Sequence, residues 1–144
     1  MAKSNQKIID KFFLAYADRN EEAIKEVMDE NVEWYFPGRH PLAGVKKGID
    51  EVIEFYDQVG KIMATSKPDV EKLIVAEKDD YLIECMHIQT NRQDENNINH
   101  HACVLWKFKD DKIIEGRHFF ADPIAVDKYF TVLAGKEKIY ETSA

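Results

Sequence analysis

The sequence has no long apolar run and no basic cluster. No stretch of its 144 residues approaches the roughly 20 consecutive apolar residues that a membrane-spanning helix needs. The formal net charge is −7, and no group of Lys and Arg side chains stands out, so the positive surface that nucleic-acid binding requires is missing. These two absences argue against a membrane protein and against a nucleic-acid partner.

Cysteine is also scarce. Cys85 and Cys103 are the only two in the chain, too few for a disulfide framework and without the spacing of a zinc site. Their apolar contexts favour two buried thiols in a reducing compartment. The polar N-terminus lacks the apolar stretch of a secretory signal, so we expect a cytoplasmic protein. Neither a glycine-rich phosphate loop nor a nucleophile elbow occurs, and the sequence implies no cofactor.

Apolar periodicity predicts helices in the first half of the chain. Apolar side chains repeat at helical spacing over residues 4–18 and 48–63. Between these segments, Asn20 suits the N-cap of a further helix. A short strand rich in aromatic residues is predicted for residues 31–36, and the Pro and Gly content of residues 37–44 predicts a loop.

The second half changes to strand periodicity. Alternating patterns separated by turn signals predict four successive strands, at residues 69–77, 81–91, 97–109 and 112–121. A closing helix is predicted for residues 123–133, with Asp122 as its N-cap. Helices followed by a meander indicate the α+β class. We expect residues 1–144 to form one domain, a cone-shaped α+β barrel in which a curved antiparallel sheet wraps around the three N-terminal helices.

Three loose motifs carry a family resemblance. They are Asn31-Val32-Glu33-Trp34 with loop residues 38–44, Gly48 with the helix at residues 49–56, and the last strand with Arg117 and Asp122. In this order, over residues 8–130, the chain resembles the nuclear transport factor 2-like superfamily, and within it the SnoaL-like and ketosteroid-isomerase-like proteins. The resemblance implies a cone with an internal pocket and, because such proteins commonly pair through the open sheet face, a homodimer. It leaves the function open, because isomerases, cyclases, hydrolases, dehydratases and non-catalytic binding domains share the fold.

The catalytic residues of these relatives transfer only in part. Steroid isomerases use a base near the first strand together with a Tyr and a protonated Asp. Here Val104 stands at the position of that Asp, and Trp34 or Tyr35 at that of the base. Of the Asp–Arg–Asp group of epoxide hydrolases, Asp122 resembles one carboxylate. SnoaL-like cyclases place an acid/base Asp on the last strand, and Asp122 matches this position best. The histidine content is similar in kind to the pocket histidines of scytalone dehydratase.

The last two strands of the meander are predicted to bring ionisable side chains together. Same-face residues should oppose each other in a hairpin. One register that satisfies this rule pairs Trp106 with Gly116, Val104 with His118, Ala102 with Phe120, and His100 with Asp122. We therefore predict a contact between His100 and Asp122, with His118 diagonally adjacent. In such a pair the carboxylate fixes the imidazole tautomer and raises its basicity.

The wall of the pocket is predicted to be apolar and aromatic. A small hydrophobic ligand would contact Tyr16, Trp34, Val104, Trp106 and Phe120. On the strand at residues 81–91 the resemblance favours an inward set that contains His87, which we add to the ligand-binding residues. The opposite set on this strand is at least as apolar and stays open as the inward face; it contains Leu82, Glu84, Met86 and Ile88.

Structural roles compete with each functional one. Asp122 suits a helix N-cap, His100 and its neighbour His101 fit exposed positions near a strand end, and His118 fits a core histidine. His87 fits solvent or a dimer contact, and the two tryptophans fit the core. A joint metal site of His87, His100, His118 and Asp122 matches no known spacing, so we predict no metal.

Two functions follow from these patterns. The first is a small acid/base enzyme for a hydrophobic substrate, of the isomerase, cyclase, dehydratase or epoxide hydrolase type, with Asp122, His100 and His118 as catalytic residues. The second is a non-catalytic ligand-binding or dimerisation module of the same fold.

Overall fold

Helices and strands follow one another in the order that the periodicity predicts. The computed structural model describes residues 4–139. Its elements are α1 Asn5–Ala17, α2 Glu21–Val27, β1 Met28–Phe36, β2 Gly44–Lys47, α3 Ile49–Ala64, β3 Asp69–Lys78, β4 Tyr81–Gln89, β5 Asn99–Lys109, β6 Lys112–Phe120 and α4 Pro123–Lys136. Only β2 has no counterpart in the sequence prediction, because four residues with two lysines are too short and too polar to show a strand pattern.

The helices form where their apolar stripes and caps predict them. α1 buries Ile8, Ile9, Phe12 and Ala15 on one face, and α3 buries Val52, Phe55 and Ile62. The Asn20 side chain caps α2 by accepting a hydrogen bond of 3.2 Å from the backbone N–H of Ala23. In the part of the chain described, no helix is both long and apolar enough to cross a membrane.

The six strands form one open, curved sheet in the order β2-β1-β6-β5-β4-β3. The segment β3 to β6 is the predicted antiparallel meander. The sheet is nevertheless mixed, because β1 lies parallel to β6. This pairing joins the first strand of the chain to the last one, so that the helices following β1 and β6 pack on the concave face.

The predicted hairpin register between β5 and β6 is confirmed over three pairs: Trp106 with Gly116, Val104 with His118, and Ala102 with Phe120. The inward face of the hairpin is therefore the predicted one. A slip of one residue would have turned each of these side chains outward.

Large aromatic side chains fill the concave side of the sheet. Trp34 is fully buried and Trp106 is 2% exposed, and their ring centroids lie 5.0 Å apart. Gly116, the β6 partner of Trp34, makes this packing possible. A Cβ atom at position 116 would overlap three carbon atoms of the indole. α4 completes the core with Val126, Tyr129, Phe130 and Leu133.

Candidate functional site

A cavity lies where β1 and β6 separate. The last pair that joins the two strands is Tyr35 with Arg117. Beyond it a space of about 560 Å³ opens between the strand ends, the loop after β1 and the start of α4. The walls are mostly apolar, and the lining residues are Tyr35, Phe36, Pro37, Gly38, Gly44, Val45, Arg117, His118, Phe119, Phe120, Pro123 and Val126. A volume of this size suits a drug-sized ligand.

His118 lines this cavity together with two other polar residues, Tyr35 and Arg117. Its ring contacts Phe36, Phe55 and Phe120, with centroid distances of 4.9, 5.8 and 6.2 Å. Although the residue as a whole is partly exposed, its Nε2 atom is buried and has no hydrogen-bond partner in the described part of the chain. Burial lowers the pKa of His118 to about 3, because the apolar surroundings disfavour the imidazolium. The side chain is therefore neutral at physiological pH.

His100 and Asp122 lie close together without forming the predicted contact. Asp122 is exposed, and its Oδ1 accepts a hydrogen bond of 3.1 Å from the backbone N–H of Ala125. Residues 4–139 contain no hydrogen bond or ion pair between His100 and Asp122. The reason is that β6 ends at Phe120 and the chain turns into α4, which directs the carboxylate at the first turn of that helix.

His100 is a buried imidazole with unused hydrogen-bonding capacity. The residue is 7% exposed, and neither ring nitrogen has a partner among the residues described. Burial lowers its pKa more than the nearby Asp122 charge raises it. The Asp122 charge thus acts on the pKa in the predicted direction, but burial outweighs it. The ring packs on Phe120 at a centroid distance of 5.7 Å, so Phe120 separates His100 from His118.

The centre of the cone is packed with side chains and leaves little room for a ligand. Trp34, Trp106 and Val104 are 0–7% exposed and do not line the cavity, so their expected place in its wall is corrected to the core. Tyr16 donates a hydrogen bond of 2.6 Å to Asp57 and thereby joins α1 to α3. Phe120 is the one member of the predicted apolar wall that lines the cavity.

The inward face of β4 is the set that the sequence left open. Leu82 and Glu84 are paired with Trp106 and Val104 of β5 and lie on the same face as these buried residues. His87 points to the opposite face, where its Nε2 lies 2.5 Å from Asn99 Oδ1. Its placement in the pocket is therefore corrected, because apolar residues occupy both faces of this strand and the alternation carried little information.

Two buried ionisable residues, Glu84 and His40, were not among the predicted site residues. Glu84 accepts a hydrogen bond of 2.8 Å from the Trp106 indole N–H and pairs with Lys72 at 2.8 Å. His40, in the loop after β1, accepts a hydrogen bond of 3.2 Å from the backbone N–H of Leu42 and stacks on Phe130. His40 also lines a second, open space of about 610 Å³ beside Gly38 and Gly44. The available signal for His40 was its position between two prolines. Glu84 was marked only by its place in the set that the sequence left open as the inward face of β4.

The histidines do not gather around a common point. His87 faces away from His100 and His118. Within residues 4–139 no group of three or more His, Cys, Asp or Glu side chains is arranged to hold a metal ion.

The sheet is open and curved, it covers the helices, and a mostly apolar cavity lies beside its last strand. These features define a cone-shaped α+β protein of the nuclear transport factor 2 type. The family profile of the SnoaL-like domain matches residues 9–116, and the chain belongs to this family. Among curated proteins none matches the sequence.

Solved structures share the fold at low sequence identity. Bal32a, from a soil-derived mobile gene cassette, is 24% identical with a TM-score of 0.70, over 88% of this chain and 95% of its own. A nuclear transport factor 2-like protein of Burkholderia xenovorans LB400 is 17% identical with a TM-score of 0.68, over 88% and 95% of the two chains. TerC, co-crystallised with polyporic acid, is 19% identical with a TM-score of 0.65, over 87% and 97%. At these identities the likeness establishes the fold.

Proposed function

We propose that this chain binds a small hydrophobic ligand in the cavity between β1 and β6, and that His118 hydrogen-bonds a polar atom of that ligand. One observation carries the proposal. The Nε2 atom of His118 is buried in the wall of a mostly apolar cavity and has no partner among the described residues. A buried polar atom without a partner costs free energy, and a ligand oxygen beside the imidazole would remove this cost.

The chemistry that this arrangement supports best is proton transfer or polarisation at a ligand oxygen. A neutral imidazole donates a hydrogen bond to a carbonyl oxygen and stabilises the charge that develops there. This role fits the isomerase, cyclase, dehydratase and hydrolase reactions of acid/base enzymes. A ligand that displaced the Phe120 ring would come into contact with His100. We assign Asp122 a positioning role, because its carboxylate holds the first turn of α4 against the cavity.

A non-catalytic binding module is the second candidate, and the low pKa of His118 favours it. A general base works best when its pKa lies near the working pH. In the described part of the chain no carboxylate bonds to either His100 or His118 to raise their basicity. The relative TerC, which was co-crystallised with polyporic acid, supports binding of a ligand and leaves catalysis to experiment.

A cavity-filling variant tests ligand binding. Val45 lines the cavity and is 44% exposed, so Val45→Trp should fill the entrance without burying a polar group. With polyporic acid as the probe, calorimetric titration should show at least a tenfold loss of affinity in Val45→Trp. Val70→Trp is the control, since Val70 is 53% exposed on β3 at the other edge of the sheet. Equal affinities in all three proteins would contradict binding in this cavity.

A His118→Phe variant separates the enzyme from the module. Each protein is incubated in D₂O with a panel of aromatic ketones, and deuterium incorporation at carbon is followed by mass spectrometry. An acid/base enzyme should exchange at least one ketone, and His118→Phe should lose this exchange about a hundredfold or more. Binding without exchange in the unmodified protein would leave the non-catalytic module as the function.

We also propose a homodimer formed through the convex face of the sheet. One row of convex-face side chains crosses four strands through the pairs Ile74–Cys85, Cys85–Cys103 and Cys103–Phe119. Its two ends, Ile74 and Phe119, are 59% and 51% exposed. An apolar row of this length on an open sheet suits a second copy of the same face. The cytoplasmic location remains a prediction from the sequence.

Ile74→Asp tests this interface. The unmodified protein should elute with twice the mass of the 16.8 kDa chain in size-exclusion chromatography with light scattering. Ile74→Asp should elute as a monomer, because the dimer would bury an unpaired charge. Leu14→Asp is the control, since Leu14 is 67% exposed on α1 and should leave the dimer intact. A monomeric unmodified protein would refute the proposal.

A further inference from the structure

The two cysteines of the chain lie directly opposite each other on neighbouring strands. Cys85 of β4 is paired with Cys103 of β5, and their Sγ atoms are 3.0 Å apart. The sequence contains no further cysteine. A strand pair with a continuous register holds the two sulfur atoms together on the convex face, and neither cysteine lines the cavity.

The hydrogen bonds of the β4–β5 ladder define the type of pair to which the cysteines belong. At one end the Thr90 N–H donates to the Ile98 carbonyl at 2.9 Å, and at the other the Phe108 N–H donates to the Asp80 carbonyl at 2.8 Å. Both bonds join even-numbered residues, and the register between them is unbroken. The odd-numbered pair Cys85–Cys103 is therefore a non-hydrogen-bonded pair, in which the Cα atoms are about 4.5 Å apart. This separation lies within the range that a disulfide spans.

We propose that Cys85 and Cys103 are an oxidation site, at which a peroxide converts the two thiols into a disulfide within one chain. A disulfide needs sulfur atoms about 2 Å apart, so the present separation of 3.0 Å closes by about 1 Å. Rotation about the Cα–Cβ bonds suffices for such a movement, and the sheet register is kept.

The reaction balances with one peroxide molecule as the oxidant. The thiolate of one cysteine attacks a peroxide oxygen, the O–O bond breaks, and the sulfur becomes a sulfenic acid while hydroxide leaves and takes up a proton. The second sulfur then attacks the sulfenic sulfur, forming the S–S bond and releasing water. In sum, two thiols and hydrogen peroxide give one disulfide and two molecules of water.

The two thiols should react slowly with peroxide and then quickly with each other. Burial, followed by the hydrogen bond with Cys85, raises the pKa of Cys103 to about 11. Little thiolate is therefore present at neutral pH, and the first step is slow. The second step is fast because the partner sulfur is already in place. The sulfenic acid should accordingly be captured by the neighbouring thiol before a second peroxide reaches it.

The test exposes native and unfolded protein to hydrogen peroxide at micromolar chain concentration. It includes the Ile74→Asp monomer, because the proposed dimer interface covers both cysteines. The native chain should lose both titratable thiols and 2 Da of mass, reversibly with dithiothreitol, and should stay a single chain on a non-reducing gel. In 8 M urea the yield of the intramolecular disulfide should fall at least tenfold relative to over-oxidised products, because the sheet no longer aligns the sulfurs.

Cys85→Ser provides the matched control. Its remaining thiol has no partner, so it should accumulate oxygen adducts of 16 and 32 Da. Circular dichroism of this variant checks that the sheet is intact. The proposal is overturned by any of three results: oxygen adducts in the native chain without the loss of 2 Da, a disulfide that joins two chains, or equal yields with and without urea.

Discussion

Gly116→Ala is expected to lower the free energy of unfolding by about 3 kcal/mol or more. The added Cβ atom would overlap carbon atoms of the Trp34 indole. Trp34 is fully buried and is held by Tyr56, Trp106 and His118 at centroid distances of 5.5, 5.0 and 5.8 Å. The indole therefore cannot move aside without displacing the core. Urea denaturation followed by tryptophan fluorescence measures the loss.

Gly60→Ala is the matched control for this prediction. Gly60 lies exposed in α3, and an added Cβ would meet nothing within 4 Å. The same substitution there should raise stability by about 0.5–1 kcal/mol, since Ala is the better helix former. In a Trp34→Leu background, Gly116→Ala should cost at least about 1 kcal/mol less, because the smaller side chain leaves room. Unchanged stability in Gly116→Ala would show that the tryptophan does not press on this strand.

The second large effect is expected from His118→Phe, and it depends on pH. The folded-state pKa of His118 is about 3, below its ordinary value of 6.5. Between these two values the unfolded chain binds a proton that the folded chain does not bind. Stability therefore falls as the pH drops below about 6.5, at about 1.4 kcal/mol per pH unit. Lowering the pH from 7 to 5 should therefore reduce the free energy of unfolding by about 2 kcal/mol through this histidine.

His118→Phe should abolish this contribution. Phe keeps the shape of the ring among Phe36, Phe55 and Phe120 and removes the buried Nε2. The variant should thus be at least as stable as the unmodified protein at pH 7. Between pH 7 and pH 5 its free energy of unfolding should fall by about 2 kcal/mol less than that of the unmodified protein. His40 and His100, whose pKa values burial also lowers, contribute equally to both proteins. Parallel pH profiles would show that His118 is not desolvated.

The sequence predicted the parts of this structure that local periodicity determines. The register of β5 against β6 followed from one rule, that inward residues oppose inward residues, and the pairs Val104–His118 and Trp106–Gly116 confirm it. The N-caps at Asn20 and Asp122 followed from short polar side chains before helical repeats.

The features that depend on distant segments could not be read from the sequence. The face that β4 buries depends on its β5 partners, because Leu82 and Ile83 on opposite faces are both apolar. Whether His100 gains a carboxylate partner depends on the direction in which the chain leaves β6. The pattern placed Asp122 on the same face, but the turn into α4 directed it at Ala125. The filled centre of the cone depends on the volumes of Trp34 and Trp106, which arrive from strands far apart in the chain.

The place of β1 beside β6 also bears on how the chain is made. Synthesis on the ribosome delivers β1 early, yet its inner neighbour in the sheet begins only at Lys112. Until then β1 has only the four residues of β2 to pair with. A pairing between strands so far apart in the sequence raises the contact order and slows folding. An emerging strand with an open edge is also prone to aggregation. The short β2, with its two lysines, covers the opposite edge of β1 and ends the finished sheet, so the edge that faces β6 stays open until the last strand is made.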